Sequence, residues 1–250
     1  RDAYQSLLAA KGRIATPCRL SRDGLILDQA VAVSDLPGFD EGCVSVQDSG
    51  AQLAAQLLQP KPFERVLDAC SAPGSKSCHL LELAPTLDLV SVDIDADRLT
   101  RVSENFTRLG ATGDLRCLDL AKPQPELGTF DRILLDTPCS ASGVIRRHPD
   151  IKLLRRPEDL ATLIETQRQL LTQCWSLLRP GGSLLYVTCS IFSDENEDNL
   201  VWFLANHHDV ETLALPAVGV PRSIGVQLLP TKGVHDGFYY AHVRKMSPGL

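Results

Sequence analysis

The sequence predicts an α/β fold with a mostly parallel sheet and helices on both of its faces. From Val66 onward, short apolar runs alternate with segments of helical periodicity, which is typical of parallel strands joined by crossover helices. Seven strands are predicted, at 65–69, 88–93, 113–117, 130–136, 182–189, 224–229 and 237–244. No helical stretch separates the last two strands, so we expect that pair to be antiparallel.

Five helices are predicted, at 50–58, 75–84, 96–109, 158–178 and 195–207. The helix at 96–109 has Asp95 at its entry and Gly110 just past its end, and these residue types cap helix termini. The helix at 158–178 follows Pro157, which favours the first turn of a helix. These signals place the ends of both helices.

Two segments differ in their patterns. Residues 1–45 show short strands and turns and are too short for a domain, so we interpret them as the remnant of a preceding small α+β module. Residues 46–250 carry the alternating pattern and form the main domain.

Charge and cysteine content exclude several classes of protein. The chain of 250 residues has 25 Lys and Arg against 31 Asp and Glu, a net charge of −6, so nucleic acid could bind only through a local basic patch. No apolar run approaches the ~18–20 residues of a membrane span, and no signal peptide appears. The eight cysteines form no CxxC pair and no zinc spacing, which predicts reduced thiols, no metal site and a cytoplasmic protein without a membrane partner.

A glycine-containing loop joins the first strand of the main domain to a helix, with the sequence Asp68-Ala-Cys-Ser-Ala-Pro-Gly-Ser-Lys-Ser77. Backbone N–H groups at a helix N-terminus favour an anionic ligand. The spacing is neither G-x-G-x-x-G nor a P-loop, which disfavours dinucleotides and nucleoside triphosphates. A tight turn without a ligand remains an alternative.

Acidic residues follow three further strands, at Asp93, Asp119 and Asp136. The carboxyl ends of parallel strands meet at one crevice, where α/β proteins bind ligands, and an acidic residue after the second strand is placed to accept from ribose hydroxyls. Cys139 and Cys189 occupy matching positions after two strands. Either cysteine alone is more simply a buried inert thiol, but the pair indicates a candidate nucleophile.

Together these motifs resemble those of the RNA cytosine-carbon-5 methyltransferases, which carry one cysteine in a Pro-Cys motif and another in a Thr-Cys motif. The matching segments are Asp-Ala-Cys-x-Ala-Pro-Gly-x-Lys, Asp-x-Pro-Cys-Ser, and Thr-Cys-Ser followed by Glu195-Asn196-Glu197. "LPGFDEGCVSVQDSGAQLAA" and "DGFYYAHVRK" are similar to the bacterial ribosomal RNA branch known as RsmB, Sun or Fmu. The resemblance implies a Rossmann-like class I methyltransferase domain at 46–250 that uses S-adenosylmethionine.

The resemblance also implies roles for individual residues. Cys189 would attack carbon 6 of cytosine, Cys139 would assist release, Asp136 would bind the base edge, and Lys76 would reach the base or orient Asp136. The cofactor would be held by Cys70, Ser71, Ala72, Pro73, Gly74, Ser75 and Lys76, with Asp93 at the ribose, Asp119 at the adenine and Asp136 near the reacting centre. The chain departs from the family where Ser75 and Ala141 replace glycines, which puts affinity in question more than chemistry.

The expected substrate is 16S ribosomal RNA. The segment 146–156 has five Lys or Arg against one Asp, and we expect Arg146, Arg147 and Lys152 to contact phosphates there, although a solvated loop is the alternative. The resemblance implies a monomer, an N-terminal NusB-like domain that this sequence does not show, and RNA-binding character for the module of which 1–45 is a remnant. The alternatives are a tRNA or DNA cytosine methyltransferase, and a ribosome-assembly module that binds the cofactor without turnover.

Overall fold

The computed structural model describes residues 1–247 of the chain. The strands are β1 (Ala15–Pro17), β2 (Leu25–Leu27), β3 (Arg65–Ala69), β4 (Asp88–Asp93), β5 (Asp114–Cys117), β6 (Phe130–Asp136), β7 (Leu178–Thr188), β8 (Val210–Leu213), β9 (Val220–Pro221), β10 (Val226–Leu228) and β11 (Phe238–Lys245). The helices are α1 (Asp2–Ala10), α2 (Leu53–Leu58), α3 (Ser75–Leu83), α4 (Ala96–Leu109), α5 (Ile151–Leu154), α6 (Pro157–Leu177) and α7 (Glu197–Asn206). No helix within residues 1–247 has the length and apolar character needed to cross a membrane.

The central sheet has the strand order β5-β4-β3-β6-β7-β11-β10-β9, and β8 also pairs with β11. The strands β3 to β7 run parallel to one another. The strand β11 is antiparallel to both β7 and β10. The α/β class, the parallel centre and the antiparallel end are therefore confirmed.

All seven predicted strands of the main domain are present, with ends shifted by a few residues, and the sheet contains two more. The additional strands β8 and β9 are short, and the predictions missed them because neither is an apolar run. Their exposed residues are held by pairing with β11 and β10 instead. The short helix α5, whose four residues are all outside the core, was likewise not predicted.

Helices cover both faces of the sheet, as predicted. The helices α2, α3 and α4 pack with Val66, Leu134 and other residues of one face. The helices α6 and α7 pack with Leu67, Leu135 and other residues of the opposite face. Because successive side chains of a strand point to opposite faces, each buried strand serves both cores and reads as a continuous apolar run.

Capping residues fix the ends of α4 as the sequence indicates. The Asp95 carboxylate accepts hydrogen bonds from the amides of Asp97 and Arg98, and Gly110 ends the helix at a φ of +63°. The positive φ suits glycine because it has no Cβ.

Residues 1–45 contain the expected short strands, β1 and β2, but also the helix α1, which the sequence analysis did not predict. They enclose a small cluster of their own around Leu8, Ala15 and Leu36. Arg108 of α4 connects this segment to the main domain, because its guanidinium lies over the Phe39 ring and donates to the carbonyl oxygens of Phe39 and Val44. The segment is therefore packed against the main domain in this chain.

Candidate active site

Parallel pairing brings the predicted residues to one edge of the sheet. Asp93 ends β4 and Asp136 ends β6, while Cys189 directly follows β7. Asp136 lies opposite Val187, two residues before Cys189. The structure therefore gathers the predicted carboxylates and cysteines at the carboxyl ends of β3 to β7, where α/β folds bind ligands.

The loop between β3 and α3 has an unusual backbone. Cys70 and Gly74 adopt positive φ values of +62° and +96°. A Cβ at Gly74 would lie 2.9 Å from Cγ1 of Val102, so only glycine fits beside α4. The loop is tied to β4, since the Ala72 amide donates to Asp93 Oδ2 at 3.2 Å. These contacts hold the loop close to Asp93.

Asp93 is almost completely buried and already has protein partners. Its Oδ1 accepts from the Asp95 amide at 3.1 Å and lies 3.5 Å from Nη1 of Arg98. The Arg98 side chain is half exposed. A ribose hydroxyl at Asp93 would therefore share the carboxylate with Arg98, whose position at the cleft the sequence analysis did not anticipate.

The cleft contains polar atoms that fit a polar cofactor. Asp68 Oδ1, Ser71 Oγ and Thr137 Oγ1 are buried and have no hydrogen-bond partner within residues 1–247. Unpaired buried polar atoms cost free energy, so their clustering at the strand ends indicates a ligand that would pair with them. Burial raises the pKa of Asp68 to about 7, although the hydrogen bond that Ser77 donates to the carboxylate lowers this pKa. The residues present thus fit S-adenosylmethionine.

Asp119 lies at the outer end of the cleft, after β5. Its side chain accepts from the Ala121 amide at 3.0 Å and pairs with Lys122 at 3.0 Å. The hydrogen bond from Lys122 lowers the pKa of Asp119 and keeps the carboxylate charged. An ionised acceptor at this end of the cleft suits the amino group of an adenine.

Lys76 and Asp136 form an ion pair inside the cleft. Lys76 Nζ lies 2.5 Å from Asp136 Oδ2, and both side chains are largely shielded from solvent. Burial opposes the charge of Lys76, but the Asp136 carboxylate outweighs it and raises the pKa of the ammonium. Lys76 therefore stays protonated and fixes the orientation of Asp136.

The two predicted cysteines face each other. Their Sγ atoms are 3.4 Å apart, which is hydrogen-bonding distance for thiols. The hydrogen bond with Cys139 lowers the pKa of Cys189 against the opposing effects of burial and the charge of Asp136, and the charge of Lys76 lowers it further. The same contact, together with burial, raises the pKa of Cys139 well above its usual value. The lowered pKa makes Cys189 the better candidate for a nucleophilic thiolate, with Cys139 as the thiol that would donate to it.

A buried polar network supports the Cys139 loop, and the sequence analysis assigned it no function. Glu195 Oε1 accepts from the Ser140 amide at 2.7 Å, and its Oε2 accepts from Ser140 Oγ at 2.6 Å. Gln167 donates to both Glu195 and the Pro138 carbonyl oxygen. The only sequence signal for this network was the place of Glu195 in the motif that follows Thr-Cys-Ser.

Backbone geometry further down this loop is also constrained. Ala141 adopts a φ of +59°, the left-handed region, at the position where the family has glycine. An alanine at this φ therefore strains the backbone.

The three cations predicted to contact phosphates differ in whether they already form an ion pair within the protein. Arg146 and Arg147 both pair with Asp236, whose side chain is completely buried. About half of each arginine side chain stays exposed. Lys152 is exposed on α5 and forms no ion pair within the described part of the chain. Arg155, which was not among the predicted phosphate contacts, donates to the Ser140 carbonyl oxygen at 3.0 Å and links α5 to the Cys139 loop.

This combination of a five-stranded parallel centre, an antiparallel β11, a glycine-containing loop after β3 and acidic strand ends defines a Rossmann-like methyltransferase of class I. Residues 55–244 match the model of the 16S rRNA methyltransferase RsmB/F family. The chain belongs to this family.

Known proteins similar to this chain agree. Ribosomal RNA small subunit methyltransferase B of Pasteurella multocida is 46% identical, and that of Pseudomonas syringae is 48% identical, over 98% and 99% of this chain. The chain spans 56% and 57% of the length of these two relatives. A methyltransferase homologue from Pyrococcus horikoshii superposes with a TM-score of 0.84 at 31% identity, covering 97% of this chain and 83% of that one. NSun6 from the same organism, solved with SFG, superposes with a TM-score of 0.80 at 27% identity, covering 90% and 60%.

Proposed function

We propose that this protein transfers a methyl group from S-adenosylmethionine to carbon 5 of a cytosine in 16S ribosomal RNA. The observation that carries the proposal is the Cys139–Cys189 pair, 3.4 Å apart, with the Lys76–Asp136 ion pair close enough to act on the charge of Cys189. Family membership and the names of the relatives support RNA of the small subunit as the substrate. A ribosomal RNA substrate would place the protein in the cytoplasm.

The cofactor would supply an electrophilic methyl group on a sulfonium. Residues Cys70 to Lys76 would enclose its methionine part, Asp93 would accept from its ribose, and Asp119 would lie at its adenine. The unpaired Ser71 Oγ and Asp68 Oδ1 are further candidates to bind it. The methyl group would then lie near Asp136, where the base must enter.

The Cys189 thiolate would attack carbon 6 of the cytosine and form a carbon–sulfur bond. The electron pair of the C5–C6 double bond would move to carbon 5 and form the new bond to the methyl group. The sulfur–methyl bond would break, and its electron pair would stay on the sulfur, which becomes a neutral thioether. Asp136 has one oxygen on Lys76 and another without a hydrogen bond from residues 1–247, so it is placed to accept from the amino group of the base. Lys76 keeps this carboxylate oriented.

Release requires elimination. The proton on carbon 5 passes to water, its electron pair restores the C5–C6 double bond, and the C6–sulfur pair returns to Cys189 as a thiolate. The Cys139 thiol would stabilise this leaving thiolate by the hydrogen bond seen in the structure. A leaving group of lower pKa departs faster, so Cys139 would accelerate release.

The RNA would approach along α5. Arg146 and Arg147 both pair with the Asp236 carboxylate, which partly neutralises them. Of the three predicted cations, Lys152 is therefore the most available to bind a phosphate. Leu153 and Leu154 beside it are 88% and 66% exposed. Exposed apolar side chains flanked by cations suit contact with unstacked bases and the phosphates around a flipped nucleotide.

Replacement of each cysteine tests the mechanism. Cys189→Ala should abolish methyl transfer and form no covalent adduct, while cofactor affinity stays unchanged. Cys139→Ala should accumulate a protein–RNA adduct with unmodified 16S RNA transcribed in vitro, because attack proceeds and release slows. Denaturing gels detect the adduct, and a radiolabelled methyl group counts the transfers.

An adduct in the Cys189 variant would reverse the two roles, and methylation of DNA or tRNA but not 16S RNA would change the substrate. Cofactor binding without transfer to any of these would favour an assembly module instead.

A further inference from the structure

Glu195 is a completely buried carboxylate without a cationic partner among residues 1–247. It ends a short 3-10 helix, Ser193–Glu195, in the loop that follows Cys189. Its hydrogen bonds reach across to the other cysteine loop, onto Ser140 and onto Gln167 of α6. A carboxylate so placed is expensive to bury, so its contacts must offset the cost.

These contacts hold both flanks of Cys139. On one side, the Ser140 amide and hydroxyl donate to the carboxylate at 2.7 and 2.6 Å. On the other side, Gln167 Nε2 donates to the Pro138 carbonyl oxygen at 2.9 Å and to Glu195 at 3.0 Å. The Cys139 backbone is thus fixed on both sides. Ser140 bonds the Glu195 carboxylate directly, and Pro138 is linked to that carboxylate through Gln167.

Cys189 is held by a different set of bonds. The Asn196 side chain donates to the Ser190 carbonyl oxygen, just after Cys189, and contacts the hydroxyl of Thr188, just before it. Glu195 itself makes no hydrogen bond to residues 188–190. The Cys139 loop also touches the Cys189 loop directly, through Ser140 Oγ and the Gly143 amide. Because Asn196 bonds Thr188 and Ser190 independently of Glu195, loss of the Glu195 side chain should move Cys139 more than Cys189.

We infer that Glu195 is the positioning residue that holds the Cys139 thiol against Cys189 for release of the methylated RNA. The inference rests on the proposed covalent mechanism. The negative charge of Glu195 acts in the same direction as the geometry, because it contributes to the raised pKa that keeps Cys139 protonated and able to donate.

Glu195→Gln removes the negative charge of this side chain and keeps its volume. The amide can still accept from the Ser140 amide, but its NH₂ group faces the donating Ser140 Oγ and cannot accept from it, so one bond to the Cys139 loop is lost and the others lose their charge assistance. The matched control is Glu197→Gln, two residues away, because Glu197 is only partly buried and its side chain bonds only Ser223 among residues 1–247. Cys139→Ala is the reference for failed release.

The assay uses unmodified 16S RNA transcribed in vitro and the same RNA containing 5-fluorocytosine. Fluorine cannot leave as a cation, so trapping of the fluorinated RNA depends on attack and methyl transfer alone. We expect Glu195→Gln to trap fluorinated RNA at a rate within about twofold of the wild type, yet turn over unmodified RNA about tenfold or more slowly and accumulate its adduct. Glu197→Gln should match the wild type in both.

Failure of the inference about Glu195 can be distinguished from failure of the proposed covalent mechanism. If Cys139→Ala accumulates an adduct but Glu195→Gln turns over normally, this inference falls and the proposed mechanism stands. If no variant with an intact Cys189 traps fluorinated RNA, both fall. If Glu195→Gln loses trapping and turnover in equal measure, Glu195 is merely structural. Should this variant not fold by circular dichroism, Ser140→Ala replaces it, and its release of product at the wild-type rate would overturn the inference.

Discussion

The backbone amide of Gly143 donates a hydrogen bond to the carbonyl oxygen of Cys189 at 2.9 Å. This bond joins the loop of one cysteine directly to the other cysteine. The Gly143 carbonyl oxygen in turn accepts from the Gly237 amide at 2.9 Å. Three segments that are distant in sequence therefore meet at one glycine, next to the two sulfurs.

We expect Gly143→Ala to abolish methyl transfer. A Cβ there would lie 2.3 Å from the Gly237 carbonyl oxygen and 2.8 Å from that of Cys189, so the cysteine loops must separate. Overpacking of this kind costs about 1–3 kcal/mol in the free energy of unfolding. Gln169→Ala is the control, because Gln169 is exposed on α6 and its replacement leaves the cysteine loops untouched. Urea unfolding and radiolabelled methyl transfer would measure both effects, and an active Gly143→Ala enzyme would show that the contact is dispensable.

Asp93→Ala should weaken binding of S-adenosylmethionine. The variant loses an acceptor for the ribose and frees the Ala72 amide, which holds the cofactor loop. Loss of a charge-assisted hydrogen bond costs about 1.5–3 kcal/mol, or roughly 10- to 150-fold in affinity. Calorimetry with the cofactor measures this, with the helix-surface variant Asp97→Asn as control. Unchanged affinity would remove Asp93 from the site.

Lys152→Ala and Arg147→Ala should separate RNA contact from structural pairing. The first should reduce the salt dependence of RNA binding by about one phosphate contact without changing stability. The second leaves the buried Asp236 with only Arg146, at 3.4 Å, and should lower the free energy of unfolding by about 1–3 kcal/mol. Filter binding at several salt concentrations and urea unfolding supply the two readouts. An unchanged salt slope in Lys152→Ala would place the RNA path away from α5.

His242 should make the fold sensitive to mild acid. Burial, with the charge of Arg132, lowers its pKa from 6.5 to about 4, and its Nε2 has no partner within residues 1–247. Because the unfolded chain takes up this proton at a higher pH than the folded one, stability is fully present above about pH 6.5 and falls as the pH drops towards 4.

His242→Gln should reduce this loss. A single such group costs at most about 1.4 kcal/mol per pH unit across that window. The pKa of His79 is also lowered by burial, so the difference between the wild type and the variant isolates His242. Identical pH profiles of urea unfolding for the two proteins would contradict the assignment.

The main domain was predictable because its signals are local. The apolar runs, the caps of α4 and the acidic residues at the ends of β4, β5 and β6 are properties of neighbouring residues. Parallel strands then place every strand end at one edge, so Asp93, Asp136 and the cysteines could be grouped from sequence alone.

The contacts that refine the site are not local, and the sequence could not reveal them. Asp236 lies about ninety residues from the arginines it binds, so a run of basic residues was interpreted as free cations. Glu195 looked like an ordinary acidic residue near a helix start, and only its burial between two loops shows what it holds. The helix α1 and the strands β8 and β9 depend on neighbours in space in the same way.

Cys139 and Cys189 are fifty residues apart, and the whole of α6 lies between them. In a growing or unfolded polypeptide they are two ordinary thiols with nothing to distinguish them from the other six. Only when β6 and β7 pair does one sulfur acquire a hydrogen-bonded neighbour and a nearby lysine. The surroundings of the proposed nucleophile thus exist only in the folded chain, and before folding Cys189 is one thiol among eight.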